Sequence, residues 1–257
     1  MNITNPSVLR IFILGVLLLL PIRHASGNTA TLPVPRDPNS LPPDPKWTER
    51  HESFLQIAKR GGVDVLFIGD SITDFWRDEN KPRGGKAVWD ANFASLHAAN
   101  FGIGADRTQH VLWRIENGEL DGLKPKVVVL LIGTNNIGFE RDKPTTPRNT
   151  TAEAIEGITA VVRAIHAKLP ESKILLHALF PRGESGDPIR DQVKEVNAVI
   201  ARLDDGKIVF FIDIGPKFLA PDGTLPLTLM PDLLHPSEKG YALWAEAIRK
   251  PLAELLK

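Results

Sequence analysis

Five short apolar runs, Val63–Ile68, Leu96–Phe101, Val127–Ile132, Ile174–Leu179 and Ile208–Ile212, set the limits on what this chain can fold into. Most are rich in Val, Ile, Leu or Phe and show no apolar–polar alternation. A strand with one wet face alternates with period two, whereas a strand covered on both faces does not. The runs therefore read as buried strands of a parallel sheet. The second is the weakest, because it contains His97, Ala98, Ala99 and Asn100.

Between the runs the apolar period changes. Ile155, Ile158, Val162, Ile165 and Leu169 are spaced by three and four, as are Val193, Val196, Ile200 and Leu203, and Tyr241, Trp244, Ile248 and Leu252. Val111, Leu112 and Ile115 mark a shorter helix. Pro251 is expected to kink or end the last one. Each pattern puts one apolar stripe against a core. Strands alternating with such helices predict a three-layer α/β/α sandwich with about five parallel strands. Ligands in such folds bind beyond the carboxyl ends of the strands. Ser71 follows the first run, and Asn135 follows the third.

The N-terminus reads differently. Arg10 precedes the apolar stretch Ile11–Ile22, and Ala25-Ser26-Gly27 follows. A run of ~12 apolar residues is short for a membrane span and suits a signal peptide. Residues 1–27 are thus expected to be a signal peptide, the protein exported to the periplasm or beyond, and no membrane span retained after processing. Pro33, Pro35, Pro38, Pro42, Pro43 and Pro45 follow, so residues 28–46 read as an extended proline-rich linker. The folded domain is expected over residues 47–257. Lys+Arg and Asp+Glu both number 31, which leaves no net charge for a nucleic-acid partner. The chain has no cysteine, which excludes disulfides, a thiol nucleophile and thiolate zinc sites.

The first run ends in Gly69-Asp70-Ser71, and Asp232-Leu233-Leu234-His235 comes near the C-terminus. A serine hydroxyl becomes a nucleophile when a base takes its proton, and histidine is the usual base near neutral pH. That histidine needs an acceptor to set its tautomer and stabilise the imidazolium. A spacing of three in a tight loop lets Asp232 reach the far ring nitrogen of His235. The same spacing also describes a surface aspartate beside a helix-capping histidine; the strand-ending serine favours the catalytic reading. Acyl transfer further needs oxyanion donors. The candidates are the Ser71 N–H, a backbone N–H in the turn Gly102-Ile103-Gly104-Ala105-Asp106, and the Asn135 side chain in Gly133-Thr134-Asn135-Asn136. Asp70 is expected to hold the turn by accepting backbone N–H bonds. Arg107 and Arg114 are assigned to surface or ion-pairing roles, and Trp76 and Trp89 to core packing. His24, His51, His97, His110, His166 and His177 lack paired ligand spacing, so neither metal nor cofactor is expected.

Four ordered blocks, Phe67–Thr73, Asn100–Gly104, Gly133–Asn136 and Asp232–Pro236, resemble the GDSL/SGNH hydrolase family. Phrases such as His110-Val111-Leu112-Trp113-Arg114 and Glu116-Asn117-Gly118-Glu119-Leu120 are similar to the catalytic subunits of intracellular platelet-activating-factor acetylhydrolase. The resemblance covers about Val63 to Leu252. It implies a flavodoxin-like SGNH hydrolase fold, with Ser71 as nucleophile, His235 as base and then acid, and Asp232 as its orienter. It implies an oxyanion hole of the Ser71 N–H, the Asn135 side chain and the N–H of Ala105, where the family pattern has glycine. Alanine keeps its N–H and serves if its φ is negative; a positive φ would require the loop to shift, with Gly104 supplying flexibility. Ile72, Thr134 and Leu234 occupy the places of a small apolar acyl pocket. The related subunits dimerise, so a homodimer is the assembly the resemblance allows.

The combined reading is a serine esterase acting on short-chain, foremost acetyl, esters of small molecules or glycans. A secreted carbohydrate O-acetylesterase, a lysophospholipase or thioesterase, and a glycan-binding module on an inactive hydrolase fold are the alternatives. Glu140–Thr151, with Pro144 and Pro147, is expected to be a loop near the cleft.

Overall fold

All five apolar runs become strands of one parallel sheet. The structure, a computed structural model, describes residues 28–36, 45–79, 82–140 and 143–257. Helix α1 (Pro45–Arg60) leads into β1 (Val65–Gly69), α2 (Ser71–Asp74), α3 (Lys86–Asn92), β2 (Ala98–Gly102), α4 (Thr108–Glu116) and β3 (Val127–Leu131). A hairpin of β4 (Phe139–Glu140) and β5 (Lys143–Pro147) follows. The chain then forms α5 (Thr151–Lys168), β6 (Lys173–His177), α6 (Pro188–Ile200), β7 (Val209–Ile212) and α7 (Glu238–Leu255).

The sheet order is β2-β1-β3-β6-β7, with every pair parallel. Every residue of the central strands β1 and β3 is buried, which explains their unbroken apolar sequence. Edge strand β2 is half-exposed up to Asn100, which explains its weaker pattern. Gly69 is level with Gly102 on one side and Leu131 on the other. The segments leaving β1, β2 and β3 therefore emerge side by side at the carboxyl edge. Strand order also reverses between β1 and β3, and such a switch point opens a crevice there.

Helices α4, α5 and α6 pack side by side, and α3 packs against α7, giving the flanking layers. Local sequence starts these helices where they begin. Thr150 and Glu153 exchange side-chain and backbone hydrogen bonds in a capping box before α5. Asp187 caps α6 with Pro188 in its first turn, and Ser237 caps α7. Tyr241, Trp244, Ile248 and Leu252 of α7 are buried, and Trp76 packs against Tyr241 and Trp244 at ring separations of 4.4 Å and 4.9 Å. Trp89 joins this core beside Phe67.

Three expectations need correction. Of the kink or end expected at Pro251, the end does not occur: α7 runs on to Leu255, with Leu252 and Leu255 both anchored in the core. The segment from Glu140 to Thr151 is not all loop, since β4 and β5 pair within it. Residues 28–36 do not stand off as a linker. Thr29–Thr31 form a 3-10 turn, Ala30 is fully buried, and the Ala30 carbonyl accepts a 2.7 Å bond from Thr108 Oγ1. Asn28 Nδ2 donates to the Glu153 carbonyl and Asn149 Nδ2 to Thr29 Oγ1. The signal-peptide expectation, residues 1–27, and residues 37–44 of the linker lie outside the described residues.

Candidate active site

Ser71 is the first residue of α2, directly past the end of β1. The turn that delivers it is tight: a Cβ at Gly69 would run into the Thr73 side chain and the Leu131 carbonyl. Asp70 caps the turn, its Oδ1 accepting from the Ile72 N–H at 3.0 Å. Asp70 is itself buried, its Oδ2 has no hydrogen-bond partner among the described residues, and burial pushes its carboxyl up to about 7. The turn-holding role expected of Asp70 is what its contacts describe.

The loop before α7 meets this serine. Ser71 Oγ lies 2.8 Å from His235 Nε2, and His235 Nδ1 lies 2.7 Å from Asp232 Oδ2. Asp232 Oδ1 also accepts from the backbone N–H groups of Leu234 and His235, at 3.2 Å and 2.7 Å. This wrapping depends on Leu233, whose φ of 58° places a non-glycine residue in the left-handed region. Partial burial raises the Asp232 carboxyl, but hydrogen bonds from the His235 side chain and backbone outweigh it and hold its pKa below the usual carboxylate value. The Phe75 ring stands 5.0 Å from the His235 ring. Such a relay lets the imidazole take a proton from a hydroxyl and hold the charge against a carboxylate.

The turn after β2 carries Ala105 at a φ of 62°, so of the two backbone geometries open to it the structure has the left-handed one. The turn is held in the left-handed region from both sides. The Gly104 N–H donates to Asp74 Oδ2 at 3.1 Å, and the Asp106 carbonyl accepts from Asn135 Nδ2 at 3.0 Å. An amide nitrogen has two hydrogens, so Asn135 keeps one for another acceptor. Asn100 braces the same region, donating to the Thr73 carbonyl and accepting from the Gly102 N–H, both at 2.8 Å.

Two features escaped the sequence reading. The first is a buried charge cluster under the turn. Asp106, Arg114 and Glu119 are fully buried. Arg114 Nη1 donates to Glu119 Oε2 at 2.5 Å and to the Phe101 carbonyl at 3.1 Å, and Trp47 Nε1 donates to Asp106 Oδ1 at 2.7 Å. Arg114 Nε faces Asp106 Oδ2 at 3.0 Å as an ion pair, not an aligned hydrogen bond. Burial raises Asp106 to about 6 and Glu119 to about 7 against the pull of Arg114. The one sequence signal was the position of Arg114, three residues after Val111 on the apolar stripe of α4. The second feature is Arg83, 3.2 Å from Asp232 Oδ2, for which no sequence signal exists.

Among the residues of the implied acyl pocket, Ile72 and Thr134 are buried and Leu234 is half-exposed. A groove of about 540 Å³ opens beside Asp232 and Leu234, and its walls include Phe139, Arg182, Glu184, Asp187 and Ile189. Ile72 and Thr134 are not among its lining residues. Arg107 Nη2 donates to both carboxylate oxygens of Glu140, each at 2.7 Å, tying the loop after β2 to the hairpin.

The family model described as GDSL-like lipase/acylhydrolase matches residues 67–243. The chain belongs to that family. This GDSL-like acylhydrolase is a carboxylic ester hydrolase. It is 37% identical over 234 residues to platelet-activating factor acetylhydrolase IB subunit alpha2 of Gallus gallus, across 91% of this chain and 92% of that protein. The Homo sapiens alpha2 subunit is 36% identical over 233 residues, across 90% and 93%. An acetylxylan esterase structure from Geobacillus stearothermophilus superposes with a TM-score of 0.57 at 24% identity, covering 76% of this chain and 94% of that one, and shares the fold. The likeness to the acetylhydrolase subunits corrects the expectation of export, because those subunits are intracellular proteins. Among the described residues no helix is long and apolar enough to cross a membrane.

Proposed function

We propose that this acylhydrolase cleaves short-chain, foremost acetyl, esters through an acyl-enzyme on Ser71. The observation that carries the reading is the continuous relay from Ser71 Oγ to His235 to Asp232, with links of 2.8 Å and 2.7 Å. His235 Nε2 takes the Ser71 proton while Oγ bonds to the ester carbonyl carbon, and the carbonyl electron pair moves onto oxygen. The Ser71 N–H, the Ala105 N–H and the Asn135 amide stabilise that oxyanion. Collapse of the intermediate breaks the bond to the alkoxide, which leaves with the proton from His235. Water, deprotonated by the same imidazole, then attacks the acyl carbon and frees Ser71. Asp232 holds the imidazole tautomer throughout.

The acyl preference rests on the space beside the serine. Ile72 and Thr134 are packed in the core with under a twentieth of their surface exposed, which supports a site that takes an acetyl group and rejects a long chain. The test is turnover of p-nitrophenyl acetate by the wild type and by Ser71→Ala. The wild type turns over and the variant does not; equal rates contradict the nucleophile. Faster hydrolysis of p-nitrophenyl octanoate than of the acetate contradicts the acyl preference.

The groove favours one class of alcohol. Glu184, Asp187 and Asp232 line it, and its guanidinium, Arg182, is already donating to the Thr134 carbonyl at 2.7 Å and to Thr134 Oγ1 at 3.1 Å. An acidic wall repels a phosphate and accepts hydroxyl hydrogens. Phe139, 58% exposed at the rim, offers an apolar plate to the C–H face of a ring. These features support an acetylated carbohydrate over a phospholipid. Acetate release from acetylated oligosaccharides should exceed release from a 2-acetyl phospholipid; the reverse order contradicts this second reading.

A further inference from the structure

Arg36 lies outside every block of the site, on the N-terminal segment, yet its Nη1 donates to the Gly104 carbonyl at 2.7 Å. That carbonyl belongs to the same peptide unit as the Ala105 N–H. A trans peptide is planar, with its oxygen and its amide hydrogen pointing in opposite directions. Holding the oxygen therefore fixes where the Ala105 N–H points.

The hold matters because the unit is under strain. An L-residue such as alanine is sterically disfavoured in the left-handed region, where its Cβ crowds the following carbonyl oxygen. Rotating the Gly104–Ala105 peptide by about half a turn would carry φ of Ala105 to the negative side, where alanine is relaxed. It would also swing the N–H to where the carbonyl now points. Asp74 grips the Gly104 N–H, which belongs to the preceding peptide unit, and Asn135 the Asp106 carbonyl, which lies two units further on. Among the described residues, the hydrogen bond on the strained unit itself is the one from Arg36. A guanidinium donor is also charge-assisted, which makes this bond stronger than a neutral one and polarises the N–H opposite it.

We infer that Arg36 is a positioning residue for the oxyanion hole: it locks the Gly104–Ala105 peptide against a strain-relieving flip and keeps the Ala105 N–H aimed at the reacting carbonyl. The segment that carries it is secured to the domain by Ala30, Thr29 and Asn28, and the Val34 N–H donates to the Gln109 carbonyl at 3.3 Å. The inference rests on the Ser71 reading and on Ala105 as a donor.

The test is a double-mutant cycle on the full chain with p-nitrophenyl acetate, combining Arg36→Ala with Ala105→Gly. A glycine has no steric reason to leave a positive φ, so it removes the drive for the flip. Arg36→Ala should lower kcat on the order of tenfold, less than the 10²–10³ that losing a donor outright costs, with KM within about twofold. Arg36→Lys should recover most of the loss. In the Ala105→Gly background the loss from Arg36→Ala should shrink to about threefold or less. An unchanged kcat in Arg36→Ala, or a loss of equal size in both backgrounds, overturns the inference. Loss of turnover in Ser71→Ala checks the underlying reading separately, so a failure of the Arg36 inference is distinguished from a failure of the Ser71 reading.

Discussion

Ser71 Oγ and His235 Nε2 stand 2.8 Å apart although 164 residues of chain separate them. Each reaches that place through its own local device. Ser71 is carried by the all-buried strand β1 and a turn capped by Asp70. His235 is carried by a loop wrapped around the Asp232 carboxylate, in which one oxygen accepts two backbone N–H bonds and the other faces the imidazole.

Asp232→Asn tests the second device. An amide at this place offers a donor where the imidazole N–H needs an acceptor, so the histidine is pushed to the wrong tautomer while the loop is kept. Steady-state kinetics on p-nitrophenyl acetate should show kcat lower by about 10³–10⁴ with KM little changed. A change confined to KM would contradict the orienting role.

Asn135→Ala removes a side-chain donor and frees the Asp106 carbonyl it now holds at 3.0 Å. The expected loss is about 10²–10³ in kcat. The melting temperature should move little, since Asn135 is half-exposed. Kinetics and a thermal melt on the same preparation separate the two effects.

The Asp70 carboxyl, pushed up to about 7 by burial from an unfolded value of 3.8, links stability to pH. Its contribution is fully present below the unfolded value and is lost as pH rises through about 7, because the unfolded chain gives up this proton first. Asp70→Asn still accepts from the Ile72 N–H but cannot ionise. Melting temperatures should fall more steeply for the wild type than for Asp70→Asn between about pH 4 and about pH 7 and run parallel above that. Parallel curves would show that the buried carboxyl does not carry its proton into the neutral range.

Arg114→Met leaves Asp106 and Glu119 buried without their shared cation. Breaking a buried ion network from one side costs about 3–5 kcal/mol. For a chain of this size that lowers the melting temperature by roughly 10 °C. A melt unchanged within a few degrees would mean that both carboxyls are neutral in the folded protein and need no counter-charge.

Much of this was legible in the chain because the signals are local. Buried strands need unbroken apolar runs, and β1, β3 and β6 have them; β7 carries the same pattern although, as an edge strand, it is buried only at Val209. Ser71, Asn135, Asp232 and His235 each sit at a strand end or in a tight loop whose spacing is visible in sequence. What stayed hidden depends on distant partners or on backbone angle. The hairpin was masked by Pro144 and Pro147, which read as loop residues although an edge strand tolerates proline. The 28–36 segment looked like a tether because its anchors, Thr108, Asn149 and Glu153, lie far along the chain. Arg114 reads as a surface or ion-pairing residue, and its burial between Asp106 and Glu119 has no local sign because those partners are fixed by the fold. The left-handed φ of Ala105 has no compositional sign, since the residue that would announce it is glycine.

The central claim is that Ser71 becomes covalently acylated. It is tested by mixing the protein with p-nitrophenyl acetate, quenching in acid within the first turnover, and mapping the adduct by peptide mass spectrometry. One acetyl group is expected on Ser71, appearing with the first release of nitrophenol and decaying at the steady-state rate. Full turnover with no acetyl on Ser71 at any time, or with the acetyl on another residue, would contradict it.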